Sequence, residues 1–322
     1  MRLAALSKSS LAFLAIGTLA LAPRAALADP TVVASIPPIH SLVAGVMAGI
    51  GDAHLLVKGG ASPHTYALRP SDATLLSRAD VVFWMGDELE AFLVKPLAAL
   101  GGGADVVALS EAPGLRLLAT REGGVWEEDE EEHEHEHEAE GGHEEHGAHD
   151  MHVWLDPTNA EAMVDAIVAA LGRRDPANAQ AYAANGAGLR GRLDGLKGEI
   201  EATLAPVAGK PFMVFHDAYQ YFEEAFGLKA AGALSVAPQR LPGAKRLGEL
   251  RERLTTAGVR CVFREPQFAP KLAETLVDGT PARIGVLDPL GAGLKAGPDL
   301  YFQLLKSDAE ALRTCLEGKP AG

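Results

Sequence analysis

Short apolar runs recur along the chain at TVVASI (31–36), HLLV (54–57), DVVFWM (80–85) and ADVVAL (104–109), and stretches with helical spacing separate them. One such stretch, PSDATLLSRAD (70–80), opens on a proline with Ser71 and Asp72 as capping candidates. It carries apolar residues three and four apart, as a helix after a loop does. The alternation resumes at PFMVF (211–215), RCVFR (260–264) and ARIGVL (282–287). Near-continuous apolar strands alternating with helices predict parallel sheets covered on both faces. The expected fold class is α/β, in two lobes, each with a mostly parallel sheet flanked by helices.

A different texture lies between the two halves. Residues 157–204 are rich in alanine, and Leu189, Leu193, Leu196 and Ile200 fall three and four apart. The spacing predicts a helix over 157–171, a break at 172–176, and a long helix onward to about 204, although its glycines each cost up to about 1 kcal/mol relative to alanine. The expected organisation is a leader at 1–28, an N-terminal lobe at 29–156, linking helices at 157–207 and a C-terminal lobe at 208–322.

Composition changes this picture at two places. The first 28 residues carry Arg2 and Lys8, the apolar run LAFLAIGTLAL (11–21) and then Ala26-Leu27-Ala28 before Asp29, the build of a cleavable secretory signal. No later segment offers about 20 apolar residues without charge, so the exported chain is expected to be soluble. The second place is EEDEEEHEHEHEAEGGHEEHGAHD (127–150), which holds six of the eleven histidines among thirteen carboxylates. Such residues build no packed core, and neutral imidazole suits zinc, copper, nickel and iron. A flexible acidic loop over 122–150 is expected, with His133, His135, His137, His143, His146 and His149 as auxiliary metal ligands; the bland alternative is a solvated linker. Without Arg2, Lys8 and Arg24 the formal charge moves from −14 to −17, and the thirteen acids account for most of it. This local acidity argues against nucleic acid, whose phosphates it would repel.

Two cysteines, Cys261 and Cys315, remain in an exported chain, where a disulfide is the economical reading. Closing that loop stabilises by at most roughly 4 kcal/mol on the chain-entropy model. A two-cysteine metal site is the competing reading, and no CxxC pair supports it.

Four motifs place one metal-capable side chain each at a strand exit or in the loop beyond it: His64 in GASPHTYALRPSD, His152 in HVWLDP, His216 in FHDAYQYF and Asp288 in VLDPLG. In open parallel sheets ligands bind outside the carboxyl ends of the strands, so these side chains can meet across two lobes. Each histidine taken alone is more often a hydrogen-bonding surface residue. His40 is read as capping or packing at a helix entry and His54 as the start of a strand. Trp84, Trp126 and Trp154 are read as core or cleft lining, and Glu223 with Glu224 as a solvated helix face.

These motifs, with PPIHSLV near the start and the histidine-rich insert, resemble the periplasmic zinc-binding subunits of bacterial ABC importers, the ZnuA-type branch of the cluster A-I metal-binding proteins. The resemblance covers nearly all of 30–318. It implies two α/β lobes joined by a long rigid helix, with zinc ions bound between them as cargo. His64, His152 and His216 match the three zinc-ligating histidines, and Cys261 with Cys315 match a disulfide found in some members. Manganese- and iron-binding relatives commonly carry a glutamate at the third histidine position, so His216 favours zinc. Pro63 stands where some members have a ligating glutamate, which leaves Asp288 or water for the fourth position, Asp288 being preferred. The implied partners are a membrane permease with its cytoplasmic ATPase, and a periplasmic metallochaperone, for a chain acting as a monomer.

Two other classes compete. A zinc hydrolase needs an open coordination site and a base; Asp217 and Glu223 are the available bases, but no HExxH is present. A metal-buffering adhesin lacking transport is the third reading. A lipid-anchored form would need a cysteine where Asp29 follows Ala28.

Overall fold

In the computed structural model the first alternation closes into a parallel sheet. Its strands are β1 (Val32–Ala34), β2 (Ala53–Leu55), β3 (Val81–Trp84) and β4 (Asp105–Ala108), in the order β2-β1-β3-β4. The structure describes residues 29–100, 102–121, 126, 148–235 and 242–318. The leader expected at 1–28 lies outside them, as do His133, His135, His137, His143 and His146. Helices α1 (Pro37–Val46), α2 (Pro70–Leu76) and α3 (Ala91–Ala98) connect the strands. Helix α2 opens on Pro70 as expected, but neither Ser71 nor Asp72 is its N-cap. Arg69 is its N-cap, and Asp72 reaches back to accept the Arg69 N–H at 2.9 Å. Past β4 the chain forms a two-stranded antiparallel ribbon of β5 (Leu118–Ala119) and β6 (His149–Asp150), which brackets the histidine-rich stretch.

Two long helices follow, α4 (Pro157–Arg174) and α5 (Ala179–Leu204). Asp156 caps α4 by accepting the Thr158 N–H at 2.8 Å, and Pro157 occupies the first turn, where no donor is needed. The helix runs three residues beyond the expected end, and the break falls at 175–178. On α5 the buried face is Tyr182, Gly186, Leu189, Leu193, Leu196, Ile200 and Leu204. It packs on α4, on α1, and on α9 (Leu300–Glu317) at the far end of the chain. Each of these leucines and isoleucines contributes about 2 kcal/mol by leaving water. They belong to one apolar cluster that also holds Val32 and Phe83 from the first sheet and Phe212 and Phe263 from the second, so a shared core joins the lobes.

The second sheet contains β7 (Phe212–His216), β8 (Ala230–Ser235), β9 (Cys261–Arg264) and β10 (Arg283–Val286), all parallel, in the order β10-β9-β7-β8. Helices α6 (Gln220–Phe226), α7 (Ala244–Thr256) and α8 (Lys271–Val277) link them. Strand β8, AAGALS, was not among the expected strands, because alanine and glycine have weak strand preference. Its pairing with β7 makes it a strand. Cys261, opening β9, is bonded to Cys315 in the last turn of α9, which removes the two-cysteine metal site as an alternative. Among the described residues no helix is long and apolar enough to cross a membrane.

The α5 glycines fall into two kinds. At Gly186 an added methyl would sit 2.5 Å from Val168 Cγ2, so this glycine lets α4 and α5 approach. Around Gly188, Gly191, Gly195 and Gly198 the space is open. Gly191→Ala is therefore expected to raise unfolding free energy by about 0.5–1 kcal/mol. Gly186→Ala should lower it by about 1–2 kcal/mol through overpacking. Urea unfolding of both variants checks the pair of opposite signs.

Candidate metal centre

Three imidazoles meet where the carboxyl ends of the two sheets face each other. His216 is the last residue of β7 and is buried. His152 precedes the short turn Val153–Leu155, two residues beyond β6. His64 stands in the long loop between β2 and α2, where its N–H donates to Ser62 Oγ at 3.3 Å. One ring nitrogen from each lies within 4.8 Å of the others, and the ring centroids are 5.1 to 5.5 Å apart. Ser62, Pro63, Trp154, Phe268 and Leu290 line the small pocket around them.

Two carboxylates orient the pair of buried rings. Asp150 Oδ1 is 2.8 Å from His152 Nδ1, and Glu265 Oε1 is 2.6 Å from His216 Nδ1. An ionised carboxylate only accepts, so each Nδ1 carries the proton and donates. With both rings neutral, each Nε2 is left with a lone pair, and the two Nε2 atoms stand 3.3 Å apart. Two lone pairs at that distance repel unless a proton or a cation lies between them.

The surroundings act differently on His64 and His216. Burial, with the neighbouring His152 and His216, pushes His64 well below the usual imidazole value, so it stays neutral. Burial also opposes protonation of His216, but the Glu265 charge and hydrogen bond outweigh it and raise the value above 6.5.

Asp288 does not join the cluster. Its Oδ1 accepts from Gln267 Nε2 at 2.8 Å, Leu290 N at 3.2 Å and Gly291 N at 3.0 Å, and its Oδ2 accepts from Ala292 N at 2.6 Å. These bonds hold the turn after β10. His149 of the auxiliary set is exposed on β6 and lies 3.3 Å from Glu88. His40 bonds the Ala53 carbonyl oxygen at 3.0 Å. Trp154 is fully buried, stands 5.3 Å from the His152 ring and donates to the Pro289 carbonyl at 2.8 Å. Glu223 overturns its expected solvated role. Its side chain is 4% exposed and, with Asp217, is ion-paired to Arg121. Glu224 is 44% exposed and pairs with Arg116.

Asp150 and Glu265, which hold the two Nδ1 atoms, are not singled out by the motifs. Asp150 is the last acid of the tract in the sequence. Glu265 directly follows β9, so the strand-exit rule that singled out His216 applies to it equally.

A sequence profile of the family described as zinc-uptake complex component A, periplasmic (ZnuA), matches residues 32–315. The chain belongs to this family. Among ZnuA proteins it is 48% identical over 304 residues to the high-affinity zinc uptake system protein of Brucella abortus, covering 88% of this chain and 91% of the relative. The Yersinia pestis counterpart is 39% identical over 295 residues, covering 90% and 92%. A ZnuA crystal structure superposes with TM-score 0.74 at 24% identity, over 89% of this chain and all of that one, which shows the shared ZnuA fold.

Because folding raises the His216 value, the stabilisation it brings is present below the unfolded imidazole range. It is lost as pH rises through the folded value. Metal-free wild type is therefore expected to lose stability relative to Glu265→Gln as pH rises above 6.5. Urea unfolding across that range measures it, and parallel curves would remove Glu265 as the charge partner.

Proposed function

We propose that this chain captures zinc in the cleft between its lobes and hands it to a membrane permease driven by a cytoplasmic ATPase. The observation that carries the reading is the meeting of His64, His152 and His216, with two Nε2 lone pairs facing each other and each Nδ1 held by a carboxylate. Zinc takes four ligands in tetrahedral array, and imidazole is among its preferred donors. Asp150 and Glu265 fix the tautomer that presents Nε2, as outer carboxylates do around zinc-bound histidine. The membership in ZnuA and the names of the relatives point to the same cargo. An imidazole rather than a carboxylate at position 216 favours zinc over manganese or ferrous iron.

Water completes the shell in this reading, since four N–H groups already occupy the Asp288 oxygens. The chain acts as a binding protein rather than an enzyme. Asp217 and Glu223, the bases a hydrolase would need, are both bound to Arg121. Residues 1–28 direct export and are removed, and the mature protein works in the periplasm as a monomer. The tract histidines His133, His135, His137, His143, His146 and His149 bind further zinc more weakly and pass it to the cleft, alone or with a metallochaperone. Their occupancy falls as protons compete at about pH 6 to 7.

Metal competition against a chromophoric chelator, on mature protein lacking residues 127–149, isolates the cleft. One tightly held zinc per chain is expected. His64→Ala, His152→Ala and His216→Ala should each weaken it by about 100-fold or more, and Asp288→Ala far less. Retention of manganese equal to or better than zinc would overturn the cargo assignment.

A further inference from the structure

Arg121 ends the ribbon segment of the N-terminal lobe, yet both carboxylates it binds belong to the C-terminal lobe. Its side chain is 18% exposed, and the partners Asp217 and Glu223 are 9% and 4% exposed. Nε donates to Asp217 Oδ2 at 2.8 Å and Oδ1 at 3.1 Å, and Nη1 donates to Glu223 Oε2 at 3.0 Å. Nη2 donates to Glu223 Oε1 at 2.9 Å and also to Asp217 Oδ1. The Trp126 ring lies 3.7 Å from the guanidinium carbon and covers its face. A planar fork that spans two carboxylates and is shielded by an aromatic ring is a stronger tie than a surface ion pair.

The position of the tie decides what it holds. Asp217 is the residue after His216. Glu223 lies on α6 and also accepts the N–H of Ala230, which opens β8, at 2.8 Å. On the other side Arg121 follows β5, whose partner β6 ends at Asp150, the carboxylate that orients His152. Tyr221 crosses the same seam: its hydroxyl accepts the Leu118 N–H at 2.8 Å and donates to the Asp150 carbonyl at 2.7 Å. Any movement that carries His152 away from His216 along this edge must pull the guanidinium off both acids.

We infer that Arg121 is a positioning residue that sets how long a cation stays between His152 and His216, by keeping the ribbon closed against α6. It touches neither the cation nor the imidazoles, so it governs release rather than ligand number. The inference rests on zinc binding at the three imidazoles. Arg116–Glu224 supplies an internal comparison, since it joins the same two segments with side chains 51% and 44% exposed and so contributes little.

The test uses the mature, full-length chain. Zinc release into excess fluorescent chelator is timed for wild type, Arg121→Met, Arg121→Lys and Arg116→Met. Hydrogen exchange is followed on the same proteins without metal. Arg121→Met should release zinc about tenfold faster or more, with the number of zinc ions bound unchanged. Arg121→Lys, which keeps the charge but loses the fork, should fall between, and Arg116→Met should stay within about twofold of wild type. The Leu118 and Ala230 amides should exchange faster in Arg121→Met while those of α5 keep their protection. Release within about twofold of wild type, or equal acceleration by Arg116→Met, overturns the role. If Arg121→Met does not fold, Arg121→Lys is judged by the same comparison. Failure of wild type to retain zinc would sink the cargo reading, and the exchange of the metal-free proteins would still decide whether Arg121 holds the seam.

Discussion

The site depends on the approach of two nitrogen lone pairs. His152 and His216 come from different lobes and are 64 residues apart, yet their Nε2 atoms stand 3.3 Å apart in a buried pocket. Neither ring can turn away, because Asp150 and Glu265 hold the opposite nitrogens. Such an arrangement is poorly satisfied without a positive centre, and a divalent cation relieves the repulsion for all three rings together. Binding is therefore built into the folded state, with the ligand tautomers set before the ion arrives.

The frame that keeps the rings this close is a continuous core rather than a flexible hinge. Helix α5 buries one face against α1 and α4 from the N-terminal side and α9 from the C-terminal side. Tyr301 at the start of α9 adds polar ties: its N–H donates to Ser41 Oγ at 3.0 Å, and its hydroxyl donates to the Trp154 carbonyl at 2.6 Å. Trp154 in turn donates to Pro289 at 2.8 Å, across 135 residues. Interiors packed in this way resist continuous deformation, so small displacements at the seam are the motions left to the site.

Electrostatics divides the labour between site and tract. Inside the cleft, His64 is kept neutral by burial, whereas Glu265 draws a proton toward His216. Along the chain, residues 127–145 carry twelve further carboxylates, a run of charge that attracts cations of any kind. Selectivity cannot come from that field. It comes from the geometry and donor type of the imidazoles.

Much of this was legible in the linear chain. Apolar strands separated by helices imply parallel sheets because both faces must be covered, and seven of the eight strands of the two parallel sheets stand where the apolar runs predicted. His216 could be picked out because it ends a parallel strand, and His64 and His152 because their motifs set them in loops that can reach the same end of the sheets. Strand β8 escaped notice because alanine and glycine acquire strand character only through the neighbour they pair with. Glu223 looked solvated beside Glu224, and only tertiary contact with Arg121 buries it. Asp288 stands at a strand exit as its motif predicts, and the bonds it accepts from Gln267 and from its own turn are visible only in the folded chain. Local pattern thus determined which elements form and which side chains can bind metal. Tertiary structure decided which of those side chains face one another, because hydrogen-bond partners and burial are settled by residues far apart in the chain.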